Sequence, residues 1–153
     1  MNDKERNEGD REARQWLKRA YLLLERGQLE EALSACETAA DSAVDPVVPR
    51  SVQGAILTAG GRPVEAMRML MQVHRRNRDA ILPALYLAEA CFLAGRQRRG
   101  WKVLDSIDAQ TLEESPFQDL ARQLRQTWEE LGELEELPEP KATPISGDGT
   151  EGM

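Results

Sequence analysis

The residues whose side chains suit catalysis or metal binding are few and lie far apart in the chain. His74 is the single histidine, and the two cysteines are Cys36 and Cys91. A transition-metal site needs several converging His, Cys or carboxylate ligands, and a nucleophile needs a base beside it. No such partners stand at helical spacing from His74, which follows an apolar stretch and precedes arginines. We interpret it as a surface histidine and expect no enzyme activity, no metal site and no cofactor.

Two arginine clusters offer a different chemistry, the binding of anions. They are Arg75, Arg76 and Arg78, and Arg96, Arg98 and Arg99. One interpretation is a patch for nucleic acid or another anionic partner. The interpretation we favour is structural: the first cluster complements the dipole of a helix C-terminus, and the second lies in the turn between two helices. No exposed aromatic side chains are interleaved for stacking on bases, so we expect no nucleic-acid partner.

Charge is spread unevenly along the 153 residues, whose net charge is −7. Residues 1–12 carry a net charge of −2, residues 13–128 carry +2 and residues 129–153 carry −7. Residues 1–12 have no apolar face, so we expect a charged, disordered leader up to Asp10, a candidate helix N-cap. Residues 132–153 contain too few apolar side chains to pack, and we expect an acidic, disordered tail.

Composition predicts an all-α fold. Aromatic residues make up only 5% of the chain while alanine and leucine dominate, which favours helices packed closely through small side chains. The charged N-terminus has no apolar signal-peptide core. The longest apolar run, residues 80–95, is interrupted by Pro83 and Glu89 and is too short to span a bilayer. We therefore predict a cytoplasmic protein without membrane insertion.

A 34-residue period organises the chain around three glycines, Gly27, Gly61 and Gly95. Small residues recur in register on both sides of them: Ala20, Gly54 and Ala88 seven residues before, and Ala32, Ala66 and Gly100 five residues after. A fixed period of this length is typical of stacked helical hairpins. Each glycine is predicted to be the left-handed residue that ends the first helix of a hairpin.

Three hairpins and a final helix account for residues 13–131. The predicted segments are repeats 13–46, 47–80 and 81–114 and a capping helix over 115–131. Ser115 and Gln118 have the spacing of a capping box at the start of that last helix. Its role is to cover the apolar side that the last hairpin would otherwise expose. Cys36 and Cys91 fall in the first and third repeats, so no disulfide between them is expected.

In this register the sequence resembles the tetratricopeptide repeat (TPR) family. The first repeat matches best, with Trp16, Ala20, Leu23, Gly27, Leu29, Ala32 and Ala39 at the family's characteristic positions. The second repeat lacks the tryptophan, and the third has Gly100 where the family has alanine. The resemblance covers residues 13 to about 112. It implies a right-handed α-solenoid whose groove is lined by the first helix of each hairpin.

The resemblance also implies that partner segments bind in this groove. Carried over position by position, the groove residues are Leu17, Tyr21, Leu24, Val48, Ser51, Ala55, Thr58, Leu82, Leu85, Glu89 and Phe92. Some TPR proteins bind a C-terminal carboxylate with Lys, Asn and Arg, but those positions here hold Leu17, Tyr21, Val52, Leu82 and Tyr86. The largely apolar groove instead suits an amphipathic helix or an apolar extended segment of a protein partner. Leu85→Asp is expected to abolish binding and to leave helicity nearly intact.

A narrower similarity links the chain to the cytoplasmic chaperones of type III secretion translocators. It rests on the size, the three repeats with a final helix, residues 87–92 and the helix start at Ser115. It implies a chaperone that keeps an aggregation-prone secreted partner soluble. Two alternatives stay open: a scaffold subunit of a stable multiprotein complex, and a homodimer or a folded-back leader that buries the same apolar surface.

Overall fold

The computed structural model describes residues 1–136, and this part of the chain is all-helical without strands. Its helices are α1 (Asp3–Glu25), α2 (Leu29–Ser42), α3 (Val47–Ala59), α4 (Pro63–Arg76), α5 (Ile81–Leu93), α6 (Gln97–Asp105), α7 (Ala109–Glu113) and α8 (Gln118–Glu135). The all-α prediction is confirmed. Apolar periodicity in the sequence predicts helices over about 29–43, 47–59, 81–93 and 97–106. α3 and α5 have these bounds, and α2 and α6 each end one residue earlier.

Three hairpin turns close in the same way. The glycines that follow α1, α3 and α5 all have positive φ: Gly27 (76°), Gly61 (85°) and Gly95 (79°). In the first turn the Gln28 N–H donates to the Leu23 carbonyl, and the Gly27 N–H donates to the Leu24 carbonyl. This pair of bonds, repeated at the other two turns, is the Schellman arrangement that satisfies the last carbonyls of a helix. The predicted left-handed glycines are confirmed.

Helices adjacent in the chain pack against each other within residues 1–122, which form one compact unit. α1 packs on α2, α3 on α4 and α5 on α6, while α2–α3 and α4–α5 contacts join the pairs. α3 also contacts both α1 and α5, so these three helices form one layer. Two apolar clusters, one with Cys36 and one with Cys91, form the core. Both thiols are free and buried.

The N-terminal segment is helical, which corrects the expected disordered leader over residues 1–12. Asn2 caps α1, because its side-chain oxygen accepts the Glu5 N–H at 2.9 Å. Asp10 therefore lies inside the helix, and its Oδ1 accepts the Val44 N–H at 3.0 Å. Residues 1–12 have no apolar face. The helix is favoured instead by its N-cap, by the acidic residues of its first turn and by the hydrogen bond between Asp10 and Val44.

A short helix follows α6 inside the predicted third repeat. α7 spans Ala109–Glu113, and Asp108 caps it by accepting the Thr111 N–H at 2.9 Å. Helical periodicity did not predict it because a single turn is too short to display a repeating apolar face.

α8 differs from the predicted capping helix at both ends. Ser115 does not form the predicted capping box; its Oγ accepts the Phe117 N–H at 3.1 Å, and the helix begins at Gln118. The helix continues to Glu135, so the first residues of the predicted disordered tail are helical. Residues 137–153 of that tail lie outside the described residues. A second compact unit begins at Gln123, within α8, and the capping role of this helix stays a prediction.

Candidate functional site

The α1–α3–α5 layer carries all of the predicted groove residues, but five of them belong to the interior. Their exposed fractions are 0% for Ser51, 8% for Thr58, 8% for Leu82, 1% for Leu85 and 2% for Phe92. Side chains buried to this extent cannot contact a partner unless the helices unpack. The predicted groove is corrected accordingly, and Leu85→Asp would put an unpaired charge into the core and unfold the protein.

Specific contacts explain why these residues are buried. The Ser51 hydroxyl donates to the Val47 carbonyl at 2.6 Å, so it serves its own helix rather than a ligand. The Phe92 ring lies edge-on to the ring of Trp101, with centroids 5.2 Å apart and an interplanar angle of 73°. An edge-to-face pair of this kind stabilises packing between α5 and α6. These side chains hold the helix pairs together.

The other six predicted groove residues are at least partly accessible. Tyr21 is 42% exposed and Val48 is 49% exposed. Half-buried positions complete the set: Leu17, Leu24, Ala55 and Glu89. Leu93, at the end of α5, is 51% exposed and was not among the predicted residues. The accessible surface is therefore smaller than the sequence predicts.

Tyr21, Tyr86 and Glu89 form the tyrosine–glutamate cluster. The side chains of Tyr21 on α1 and Tyr86 on α5 lie close enough for each hydroxyl group to shift the pKa of the other. Since α3 packs against both α1 and α5, this interaction spans α3. A contact across an intervening helix requires a short side chain on that helix, and Ala55 is the α3 residue at the repeat position of Tyr21 and Glu89. Three helices thus meet in one site.

Sequence reasoning missed Tyr86 as a member of this site. The residue was considered only as a departure from the carboxylate-binding pattern. One signal was present: Tyr86 and Glu89 are three residues apart on one helix, a spacing that places both on the same face. The partner on α1 carried no local signal, because Tyr21 reaches Tyr86 only through the packing of α1, α3 and α5.

Partial burial dominates the electrostatics of the tyrosine–glutamate cluster. Burial raises the pKa of Tyr86, and the interaction with Tyr21 and the charge of Glu89 raise it further. Burial also raises the pKa of Tyr21, while the interaction with the Tyr86 side chain acts in the opposite direction. The pKa of Glu89 is raised by burial. Glu89 therefore places a carboxylate in surroundings that solvate it poorly.

His74 is half-buried, which corrects its interpretation as a surface residue. It lines a cleft of about 180 Å³ between the α4–α5 and α6–α7 connections. Its Nδ1 atom is buried without a hydrogen-bond partner in the described residues. Burial, followed by the nearby charge of Arg78, lowers the pKa of this imidazole. The neutral ring is thus the form that the fold favours at pH 7.

The cysteines lack the surroundings of a reactive thiol. Burial, with a further contribution from Glu37, raises the pKa of Cys36 to about 12. Burial also raises the pKa of Cys91, although Arg99 acts in the opposite direction. The thiolate is the nucleophilic form, and a raised pKa removes it at neutral pH. Within residues 1–136, no group of three or more His, Cys, Asp and Glu side chains could hold a metal ion.

The two arginine clusters lie at opposite kinds of helix terminus. Arg75 and Arg76 belong to the last turn of α4, where cations complement the helix dipole as predicted. Arg96 lies in the turn before α6, but Arg98 and Arg99 lie in the first turn of that helix. Cations there oppose the helix dipole, so the structural interpretation of the second cluster holds only for Arg96.

Comparisons of the chain with models of known protein families, with curated proteins and with solved structures found no match. Among the helices within residues 1–136, none combines the length and the apolar character needed to cross a membrane. The structural guide to function is the accessible part of the α1–α3–α5 layer, which includes Tyr21, Val48 and Glu89.

Proposed function

We propose that this chain is a non-enzymatic protein-binding module, built as a right-handed array of three TPR-like hairpins. Its partner contributes an apolar or amphipathic segment to the accessible α1–α3–α5 surface. Support for the array comes from the match between the 34-residue period and the helix pairs, each turned at a glycine with positive φ. Support for binding comes from the side chains that this layer leaves accessible.

The observation that carries the proposal is that the α1–α3–α5 layer leaves Tyr21 and the apolar side chains of Val48 and Leu93 exposed. Tyrosine supplies a large apolar ring and a polar hydroxyl, and it is enriched where proteins contact one another. Val48 and Leu93 contribute apolar area to this surface, because they are 49% and 51% exposed. A partner helix laid across the layer would remove these groups from water and could hydrogen-bond the tyrosine hydroxyls.

The specific role that we place first is that of a cytoplasmic chaperone for an aggregation-prone secreted client. This role follows from the similarity to type III secretion chaperones and from the apolar part of the surface. The alternative is a scaffold subunit of a stable multiprotein complex. Client solubility on co-expression distinguishes the two: a chaperone raises it and releases the client on export, while a scaffold stays in the mature assembly.

The test purifies the wild type and two matched variants from the native cells and compares the proteins that copurify with each. Val48→Asp puts a charge on the proposed binding surface, and Val64→Asp puts the same charge on α4, where the valine is 41% exposed. We expect a partner that copurifies with the wild type and with Val64→Asp and is lost with Val48→Asp. Circular dichroism should show equal helicity for both variants, because both valines are solvent-exposed.

Two results would overturn the proposal. One is a partner retained equally by Val48→Asp and Val64→Asp, which would place the binding surface elsewhere. The other is a wild-type protein that forms a homodimer dissociated by Val48→Asp alone, measured by light scattering during size-exclusion chromatography. In that case a second copy of the chain would cover this surface.

A further inference from the structure

We propose that a basic patch at the start of α6 binds a short acidic segment of a partner protein. This α6 basic patch consists of Arg96, Arg98, Arg99 and Lys102, all of them exposed. It belongs to the second helix of the third hairpin, outside the α1–α3–α5 surface, and is therefore independent of the proposed function. The bound segment contributes at least two carboxylates to neighbouring guanidinium groups.

The second hairpin shows how an arginine at this turn binds carboxylates. Arg62, the residue before α4, donates from Nη1 to Oε2 of Glu30 at 2.8 Å and from Nη2 to Oε1 of Glu65 at 2.6 Å. Its Nε atom also donates to Oε1 of Glu65, at 2.8 Å. Glu30 belongs to α2 and Glu65 to the first turn of α4. One guanidinium group thus holds two carboxylates from different helices, as its fork of N–H donors allows.

The third hairpin keeps the arginine but has neither carboxylate. Arg96 follows Arg62 by one repeat, while Val64 and Arg99 hold the positions of Glu30 and Glu65. Among residues 1–136, no acidic side chain forms an ion pair with a residue of the α6 basic patch. The neighbouring cations repel one another, and those in the first turn of α6 also oppose the helix dipole. These charges disfavour the unbound fold, and a bound anion offsets their repulsion.

A groove brings the charged side chains of the patch together. It has a volume of about 550 Å³, and its lining includes all four residues of the α6 basic patch and Met67 of α4. Met67 gives the groove an apolar part, which suits the carbon atoms of a peptide. Cations and apolar surface in one groove favour a segment that carries both acidic and apolar side chains.

Charge distinguishes a peptide from a larger polyanion as the occupant. The chain has a net charge of −7, which repels a nucleic acid or an anionic membrane over long distances. A short acidic segment interacts mainly with charges within about 10 Å, the Debye length at 0.1 M salt. Within that range the α6 basic patch is positive. An acidic protein segment is therefore the partner that these observations favour.

The experiment selects phage-displayed random 12-residue peptides on the immobilised full-length protein. We expect the enriched sequences to contain two or more Asp or Glu residues. One such peptide is synthesised, and its Kd is measured by fluorescence anisotropy. Arg99→Glu puts a carboxylate at the position of Glu65, where it can pair with Arg96, and should weaken binding by at least about tenfold. Arg14→Glu, the same charge reversal at an exposed position of α1, is the matched control and should leave Kd unchanged.

Thermal unfolding of the same variants gives a second readout. Arg99→Glu should raise the melting temperature, because it removes a repulsion, adds an ion pair three residues from Arg96 and complements the dipole of α6. A variant that is more stable and binds less tightly would show that Arg99 serves binding rather than the fold. A melting temperature below that of the wild type would contradict this role. Arg99→Gln should also weaken binding, by a smaller factor, since it only removes the charge.

Four results would overturn the proposed patch. One is a selection that enriches no peptide, or only peptides without acidic residues. Another is an acidic peptide whose Kd is the same for the wild type and Arg99→Glu. The third is tighter, Arg99-dependent binding of a 20-nucleotide single-stranded DNA or of vesicles of phosphatidylcholine and phosphatidylserine, which would change the class of partner. The fourth is a synthetic peptide of residues 129–153 that binds more tightly than the selected peptides, which would make this chain's own acidic segment the occupant.

Discussion

The Phe92 ring on α5 occupies the space into which a side chain at Gly100 on α6 would project. A Cβ atom added at Gly100 would lie 2.8 Å from Cε1 of Phe92. In the first repeat the corresponding residues are Leu24 and Ala32. Leu24 is smaller than Phe92, and Ala32 is larger than Gly100. The third hairpin thus exchanges volume between its two helices, and the glycine that weakens the helix locally is required by the ring beside it.

Gly100→Ala is therefore expected to destabilise the protein, although alanine is the better helix former. Overpacking a well-filled core costs about 1–3 kcal/mol, which exceeds the gain of about 1 kcal/mol in helix propensity. Urea denaturation followed by circular dichroism measures the change. The double variant Phe92→Leu with Gly100→Ala should be more stable than the sum of the two single changes predicts. Additive effects would contradict the proposed steric coupling.

Gly27→Ala should lower the free energy of unfolding by about 1 kcal/mol, since Gly27 has a φ of 76°. No atom lies within 4 Å of an added Cβ, so the cost comes from the backbone conformation alone. Asparagine tolerates positive φ better than alanine, and Gly27→Asn should recover part of the loss. Ser34→Ala, on the exposed face of α2, is the control. Equal stability of Gly27→Ala and wild type would contradict the left-handed conformation.

Glu89→Gln is expected to raise stability at pH 7. The pKa of Glu89 in the folded protein lies above its ordinary value of 4.5, so the folded state binds the proton more tightly than the unfolded state. Its contribution to stability therefore falls as the pH rises from about 4.5 through the folded pKa. Thermal unfolding of wild type and Glu89→Gln from pH 4 to pH 8 measures the difference, which should grow with pH. A difference that shrinks with pH would have the wrong sign.

His74 should give the opposite dependence on pH. Its pKa in the folded protein lies below the ordinary value of 6.5, so the unfolded state binds the proton more tightly. Stability from this group is present above pH 6.5 and is lost as the pH falls through that value towards the folded pKa. The other charged side chains of the cleft are Arg78, Asp79 and Asp108.

The measurement for this group is the same titration carried out on His74→Gln. The variant should lose less stability than the wild type between pH 7.5 and pH 5.5, because its side chain does not take up a proton. A parallel fall in both proteins would show that other groups govern the acid sensitivity.

Local signals account for the parts of the fold that sequence reasoning predicted correctly. The bounds of α3 and α5 follow from apolar periodicity, and the turn glycines follow from the short-range need for a left-handed residue. The N-terminal segment shows the limit of this reasoning. Residues 1–12 looked disordered because they have no apolar face, yet Asp10 receives a hydrogen bond from Val44 in the α2–α3 connection. That contact is decided by how α1 lies beside the end of α2.

The sequence predicts the candidate site less well than it predicts the fold, because the site depends on tertiary structure. Register alone placed Tyr21, Leu85 and Glu89 in one groove, but it could not distinguish an accessible position from a buried one. Leu85 is 1% exposed and Tyr21 is 42% exposed, although both lie on first helices of hairpins. Exposure at these positions depends on the neighbouring helices rather than on the helix that carries the residue.

The sequence by itself determined three helical hairpins, their turns and the separation of the two cysteines, because helix periodicity and the conformation of glycine act over a few residues. Only the tertiary structure decided which residues of α1, α3 and α5 reach the surface. It also decided that Tyr21 meets Tyr86 beside Glu89. That contact joins residues on two different hairpins, and it exists because α3 packs between α1 and α5 and carries Ala55 at the matching position.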